Sequence, residues 1–591
     1  MVSLRSICSK QIIVIILTII FIASCGSGES NNIDVATNND QLETGVEPSV
    51  VLSATPTVIN SGETSLLNWS AQGVTTCILS GNWSGSVGTN GTQSVGPLIA
   101  DSEFFINCSG ENGNVSASVK IMVTTNGEND IVGIVDSSLI ARDGLNKVYV
   151  FEGSVIPDDI DGIGVEPITT ISVNQESGTC VWSYKISGLK AGNYTLAFTS
   201  QGEDDLPESD DQLNFVGPAN VTINDTTIIK DFLPSNVIRV GPGRAYASPR
   251  LAAAVANDGD VVEIDAGLYL DDIAVWRQNN LTLRGVAGRA HLKATKPILY
   301  TKGSDQENGM GIWVTKGDNI VIENIEFSGA TVPDENGAGI RAQGGNLTIC
   351  NSHFHDNENG ILGAGRHILI EYSEFEHNGL GEIGKTHNIY IDGGEKFTFR
   401  YSYSHHAHIG HNLKSRAKEN HILYSRIMDE IDGDSSYAID VPNGGLTYII
   451  GNLIQQGPLT DNSIIVAYGA EGLSNPSNEF YFINNSVVND RGAGTFLDVN
   501  QGTTAKIYNN IFSGGGTMLS DPGDQASNLE TTNPGFVDID SYDYHLLAGS
   551  PAIDNGFNPG ISLIPTHQYI HPINTEPRPI NNTIDIGAYE Y

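Results

Sequence analysis

The chain has 591 residues, enough for several domains, and its 39% hydrophobic content excludes wholesale disorder. Its 66 glycines and 17% charged residues fit glycine-punctuated all-β architecture better than helical bundles. A formal net charge of −39 excludes a nucleic-acid binder, which needs a basic footprint, and argues against loose adhesion to anionic surfaces; an anionic ligand here needs a local basic patch or bridging cations.

Arg5 and Lys10 precede an apolar run over residues 12–22, and Ile22-Ala23-Ser24-Cys25 follows. A basic start and a short apolar core make a signal peptide over residues 1–24. The four-residue ending resembles the lipobox of bacterial lipoproteins. That resemblance implies cleavage before Cys25 and lipidation of its thiol. Gly26 in place of Asp then implies the outer membrane, facing the periplasm or the cell surface. Two or more acyl chains suffice for stable anchoring. A plain transmembrane anchor and an ordinary signal peptide are the alternatives. Residues 25–47, rich in Ser, Gly, Asn, Asp and Thr, read as a flexible tether.

Residues 48–125 show short alternating strands separated by turn signals, such as Thr64 to Trp69 and Phe104 to Cys108. Trp69 before Cys77, with Cys108 late in the segment, resembles bacterial immunoglobulin-like domains. Cys77 and Cys108 share this segment and an oxidising compartment, so a disulfide is expected between them. Cys180 and Cys350 fall in different expected domains and are read as thiols. Residues 130–235 are again β-rich. Here "ISGLKAGNYTLAFTS" (186–200) resembles the strand-turn-strand of carboxypeptidase-regulatory-like sandwiches.

The texture changes near residue 237. "IRVGPGRAYASPRLAAAVANDGDVVEIDAGLYLDDIAV" reads as strand, short Ala-rich helix, strand. It resembles the N-terminal cap of pectin-lyase-like β-helix proteins, where the helix covers an open apolar end. A repeat follows in "IVIENIEF", "LTICNSHF", "ILIEYSEF", "FTFRYSYS", "HILYSRI", "FYFINNSV" and "AKIYNNIF". Its anchors Asn324, Asn351, Tyr372, Tyr401 and Tyr424 are spaced by 27, 21, 29 and 23 residues, an irregular period that suits one coil per repeat. The stretches "NPGFVDIDSYDYHLLAGSPAIDNG" and "DIGAYEY" resemble the ending of right-handed β-helix proteins. The expected fold class is all-β: two small β-sandwich domains, then a right-handed parallel β-helix over residues 237–591.

Stacked coils place equivalent residues about 4.8 Å apart. A second series of segments lies between the anchors. Aligning Ile340, Ile361, Ile389, Leu413 and Ile439 as inward residues sends their neighbours outward. One outward column is Arg341, Leu362, Tyr390, Lys414 and Asp440. The next is Gln343, Ala364, Asp392, Arg416 and Pro442, and a preceding one includes Asn388 and Asn412. Long polar faces of this kind suit an extended sugar chain. A basic pair can offset a uronate carboxylate, which acidifies the C5 proton for removal by a base. Lys414 and Arg416 are the candidates for that chemistry, with Tyr390 as donor to the leaving oxygen. His387 and His411 fall at equivalent places, so their rings are expected to stack, and either is a candidate acid or base. Arg341, Gln343, Asn388, Asn412, Asp392, Asp440 and Arg426 are candidate substrate contacts. "DEIDGDSS" gathers Asp429, Glu430, Asp432 and Asp434, hard oxygen ligands suited to calcium. Each of these has a bland counterpart: paired surface charges, a stacked polar ladder or a solvated acidic loop.

"LKSRAKENHILYSRI" resembles an element of chondroitinase-B-like and alginate-lyase β-helices, a Lys-Ser-x-x-Asn that carries the catalytic base. Counted back from Asn420, Arg416 takes the family's Lys position and Lys414 lies two residues earlier. The family's downstream Arg falls near "DVPNGG", which has none, leaving Arg426 and His405, His406 and His408 as candidates. The resemblance implies a polyuronate lyase or epimerase acting on acidic polysaccharide. A non-catalytic polysaccharide binder or adhesin, and a glycoside hydrolase using Asp392 and Asp440, are the rivals.

Overall fold

The computed structural model describes residues 48–591 apart from 61, 111–112, 125–128, 141–145, 154–166, 191, 201–212, 215–220, 223–227, 235, 300–309, 383 and 521–522. The expected signal peptide, the tether and Cys25 lie outside the described residues. Among the described residues no helix is long and apolar enough to cross a membrane.

The first module packs two sheets. Ser49–Thr55, Ser65–Gln72 and Asn90–Val95 form one, and a five-stranded sheet centred on Ser102–Gly110 forms the other. Strict alternation along Ser65–Gln72 turns Leu67 and Trp69 inward, where Trp69 meets the edge of Trp83 at 5.7 Å. Cys77 and Cys108 are direct partners on adjacent strands of the larger sheet and form a disulfide.

The second module packs Asn129–Val135 and Trp182–Leu189 against Lys147–Glu152 and Asn193–Thr199, around Tyr184, Phe198 and Phe232. It contacts one flank of the β-helix. Ser137 donates to Glu323, Asp136 pairs with Arg284, and Gln175 donates to Glu371. Arg284, Glu323, Cys350 and Glu371 are one register column, one residue per coil. This apposition corrects the reading of Cys180 and Cys350 as thiols. They form a disulfide between module and coil, with Cα atoms 6.2 Å apart. Assigning two cysteines to separate domains says nothing about whether the domains touch.

The strands of the described residues from Val237–Val240 to Leu529–Thr531 form one 29-stranded parallel sheet wound into a right-handed β-helix. Each coil contributes up to three strands. The first column includes Gly311–Thr315, Ala338–Ala342, Leu413–Ser415 and Ile439–Val441; the second includes Ile320–Glu323, Leu347–Cys350 and Glu419–Leu423; the third includes Ile325–Ser328, His353–His355, Glu374–Glu376 and Arg426–Met428. Phe327, Phe354 and Phe375 stack face to face inside, 5.0 and 4.5 Å apart.

The repeat anchors are the turn between second and third columns. Asn324, Asn351, Tyr372, Tyr401 and Tyr424 all have left-handed backbone, φ between 48° and 58°. Asn tolerates that region; Tyr does so at a cost, offset here by ring stacking of Tyr372, Tyr401 and Tyr424 at 5.1 and 5.8 Å. From Asn351 onward the next residue in each coil is Ser or Asn, buried from Ser352 to Asn510 and partly buried at Asn528, and its side chain accepts from the main-chain N–H of the coil before. Ser352, Ser373, Ser402, Ser425, Asn452, Asn485, Asn510 and Asn528 make one continuous ladder. A coil absent from the sequence alignment, Leu446–Ile450 and Leu453–Gln456, turns on Gly451 (φ 68°). A Cβ there would meet the Tyr424 ring at 2.7 Å, so the repeat signature vanishes where close packing requires glycine.

The helix Pro249–Ala253 covers the N-terminal end, burying Ala252, while Asp272 accepts from the N–H of Arg250 at 2.7 Å. At the other end the tail folds back over the third column, packing Tyr544, Tyr569 and Tyr589 on Tyr403, Leu453 and Val488. Arg578, fully enclosed, pairs with Glu590 at 3.0 Å and donates to the carbonyls of Asp585, Gly587, Ala588 and Tyr589.

Candidate functional site

The first column carries the outward row read from the sequence. Arg341 pairs with Leu362, Leu362 with Tyr390, Tyr390 with Lys414 and Lys414 with Asp440. Ile340, Ile361, Ile389, Leu413 and Ile439 are fully buried beneath it. The inward residues lock the register, because a one-residue slip would expose all five.

Around Lys414 the groups converge. Its Nζ lies 3.3 Å from Asp440 Oδ2, 3.6 Å from Glu471 Oε1 and 5.6 Å from the centre of the Tyr390 ring. Arg416 donates from Nε to the Tyr390 hydroxyl at 2.9 Å, and that hydroxyl donates to Asp392 Oδ1 at 3.0 Å. The Arg416 fork meets both oxygens of Glu471, at 2.9 and 2.8 Å, and also Asn443 Oδ1. Glu471 holds the guanidinium above its usual range and is itself lowered by Arg416. Burial raises the Tyr390 phenol, so it stays protonated and available as a donor.

His387 and His411 stack at 4.5 Å, 19° from parallel, on the rim of this cluster. The main-chain N–H of His411 donates to His387 Nδ1 at 2.9 Å, which leaves the neutral His387 ring protonated on Nε2. Burial, then Lys414 and Arg416, lower His387 to about 3; burial, His387 and Lys414 lower His411 well below its usual value. Both rings are therefore uncharged near neutrality. Asp440, 3% exposed, is raised to about 6 by burial, against the pull of Lys414. Its Oδ2 lies 3.5 Å from His411 Nε2 and its Oδ1 has no hydrogen-bond partner.

Arg341 occupies the same row three coils from Lys414. Nη1 is buried without a hydrogen-bond partner, and no carboxylate of the described residues lies within ion-pairing distance. Burial lowers its pKa, while Asp392 and Tyr390 act in the opposite sense. Two partnerless buried polar atoms, one on a cation and one on an acid, thus share one outward row, as sites built to meet a ligand do. Gln343 is exposed beside Arg341.

Several expected site residues lie elsewhere. Asn388 and Asn412, read as outward, are fully buried at the coil corner. They belong to a second ladder in which Asn357, Asn378, Asn388, Asn412 and Asp429 hand hydrogen bonds from coil to coil at 2.8–3.1 Å. Strand alternation fails there because the chain bends. Arg426 is on the third column, over the Tyr403 ring at 4.9 Å and paired with Glu430, away from the Lys414 face. His405 stacks on Tyr403 on that same column.

The four acids expected to gather around calcium diverge. Asp429 ends the buried ladder, Glu430 binds Arg426 and Tyr403, Asp432 meets His406 and Asp434 meets His408. Close sequence spacing at a turn pointed the side chains in different directions. Glu471 and Asn443 were not anticipated. They sit on loops between strands, where no periodicity assigns a direction.

No family model matches the chain, and no curated protein matches it. Among solved structures it is similar to the crystal structure of pectate lyase Pel9A, at 16% identity and a TM-score of 0.45, over 61% of this chain and 97% of that one. It is also similar to the pectin methylesterase from Aspergillus niger, at 11% identity and a TM-score of 0.22, over 50% of this chain and 91% of that one.

Proposed function

We propose that the Lys414 face binds acidic polysaccharide and cleaves it as a polyuronate lyase, on a protein tethered to the outer membrane through Cys25. The observation that carries this reading is the placement of Tyr390 between Lys414 and Arg416, its hydroxyl 2.9 Å from Arg416 Nε. A chain of net charge −39 here concentrates Arg341, Lys414 and Arg416 along one strand face. The Arg416 fork takes the uronate carboxylate in the place of Glu471 and offsets its charge, which acidifies C5–H. Lys414, as the free amine once its own proton has passed to Asp440, removes that proton; the C4–O4 bond breaks as C4=C5 forms, and Tyr390 donates its proton to the departing O4. Asp440 and the neutral His387–His411 stack hold Lys414 in place. Arg341, three strand spacings or about 14 Å along the coil stack, serves a neighbouring uronate.

The test is a screen of the purified protein on alginate, pectate and glycosaminoglycans, with and without calcium. The expected result is ultraviolet absorbance from unsaturated uronate ends, abolished in Lys414→Ala. Inversion at C5 without chain cleavage would assign an epimerase. Products that have gained water would assign a hydrolase. Retention in affinity gels without product, lost in Arg416→Ala, would assign a binder.

A further inference from the structure

We propose a divalent transition-metal site, of zinc type, formed by His291, Glu326 and His355 on the open N-terminal half of the third column. These residues stand on three successive coils, in the paired strands Thr282–Lys293, Ile325–Ser328 and His353–His355. Among the described residues they form the group of three His, Cys, Asp or Glu whose ligand atoms all lie within 4.8 Å of one another. Glu326 Oε1 is 3.0 Å from His291 Nδ1 and 3.2 Å from His355 Nε2. Tetrahedral N and O ligands 2.0–2.1 Å from a zinc ion stand about 3.3 Å apart, so small rotations of these side chains suffice.

The outer atoms of both rings are already held. His291 Nε2 lies 2.7 Å from Ser328 Oγ, and His355 Nδ1 lies 2.8 Å from Asp356 Oδ2. Metal-binding imidazoles are oriented in this way, with the far nitrogen donating to an oxygen that fixes the tautomer. A site drawn from rigid strands, with side chains only 11–15% exposed, needs little ordering on binding. Two imidazoles and one carboxylate suit zinc better than calcium or magnesium, which prefer all-oxygen shells. Three protein ligands leave one position open to water or a ligand oxygen. These residues lie on the third column and Lys414 on the first, so metal here is independent of the lyase reading.

His353, His377 and His405 lie nearby on the same column and bind Glu376 or Glu374, so the test must be differential. The full chain is stripped with chelator, dialysed against zinc and assayed by atomic emission. Wild type is expected to hold one equivalent more than His291→Ala/His355→Ala, and its thermal midpoint to rise with zinc where the double variant's does not. Equal zinc in the two proteins, or none in wild type, overturns the proposal. If the double variant misfolds by circular dichroism, Asp356→Asn decides instead: it is expected to weaken zinc binding at least tenfold with the fold intact, and unchanged affinity overturns the assignment.

Discussion

The carboxylate of Glu471 spans the guanidinium of Arg416, 2.8 and 2.9 Å from its two terminal nitrogens, and lies 3.6 Å from the Lys414 ammonium. A carboxylate therefore already occupies the position where a uronate would be recognised. Glu471 is half exposed, so its hold on Arg416 is worth about 1 kcal/mol at most. Glu471→Ala should lower the KM for polyuronate roughly two- to fivefold. A KM that rises would make Glu471 part of the substrate's own contacts.

Asp440 titrates near 6 when folded, whereas an unfolded Asp titrates near 3.9. Between those values the folded state binds more protons, so this residue's contribution to stability falls as pH rises from about 4 to 6 and then levels. Asp440→Asn removes the dependence. Its stability advantage over wild type should grow across that window by about 3 kcal/mol. Denaturant melts at pH 4, 5, 6 and 7 would show it; a constant difference would mean Asp440 titrates alike in both states.

Asn412 is the centre of the corner ladder. It accepts from Asn388 and from the N–H of Ala407, and donates to Asp429 at 2.8 Å. Asn412→Ala leaves the buried Ala407 N–H unmet and takes one bond each from Asn388 and Asp429, and should cost about 1–3 kcal/mol. The loss should appear in denaturant melts without calcium dependence. Destabilisation that added calcium repairs would return Asp429 to a metal role.

The Cys180–Cys350 bridge closes a separation of 170 residues. Replacing both cysteines with Ser should cost about 2–5 kcal/mol. Limited proteolysis should then cut between the second module and the β-helix sooner than in wild type. An unchanged cleavage pattern would show that the non-covalent contacts, among them Ser137–Glu323, Asp136–Arg284 and Gln175–Glu371, suffice to hold the module.

Where period-two alternation is anchored by an apolar core, the sequence was legible to the individual side chain. The row from Arg341 to Asp440 follows directly from burying Ile340 to Ile439. The anchors Asn324 to Tyr424 were legible because left-handed turns admit few residue types. Legibility ended where the chain leaves the strand. At the corner, Asn388 and Asn412 turn inward to satisfy main-chain groups, which a two-residue period cannot anticipate. Glu471 reaches Arg416 from 55 residues away, and Cys180 reaches Cys350 from another module; neither contact has a local signature.

The buried Ser and Asn ladder links positions separated by 21, 29, 23, 27, 33, 25 and 18 residues without breaking step. All the variation in coil length is taken up by loops that leave the strand columns and return. The outward rows are thus indifferent to what is inserted between them. A coil can be lengthened, trimmed or exchanged at its loops while Lys414 keeps the same neighbours above and below. The scaffold is in effect an addressable lattice, on which specificity can drift one rung at a time with the remaining rungs left in place.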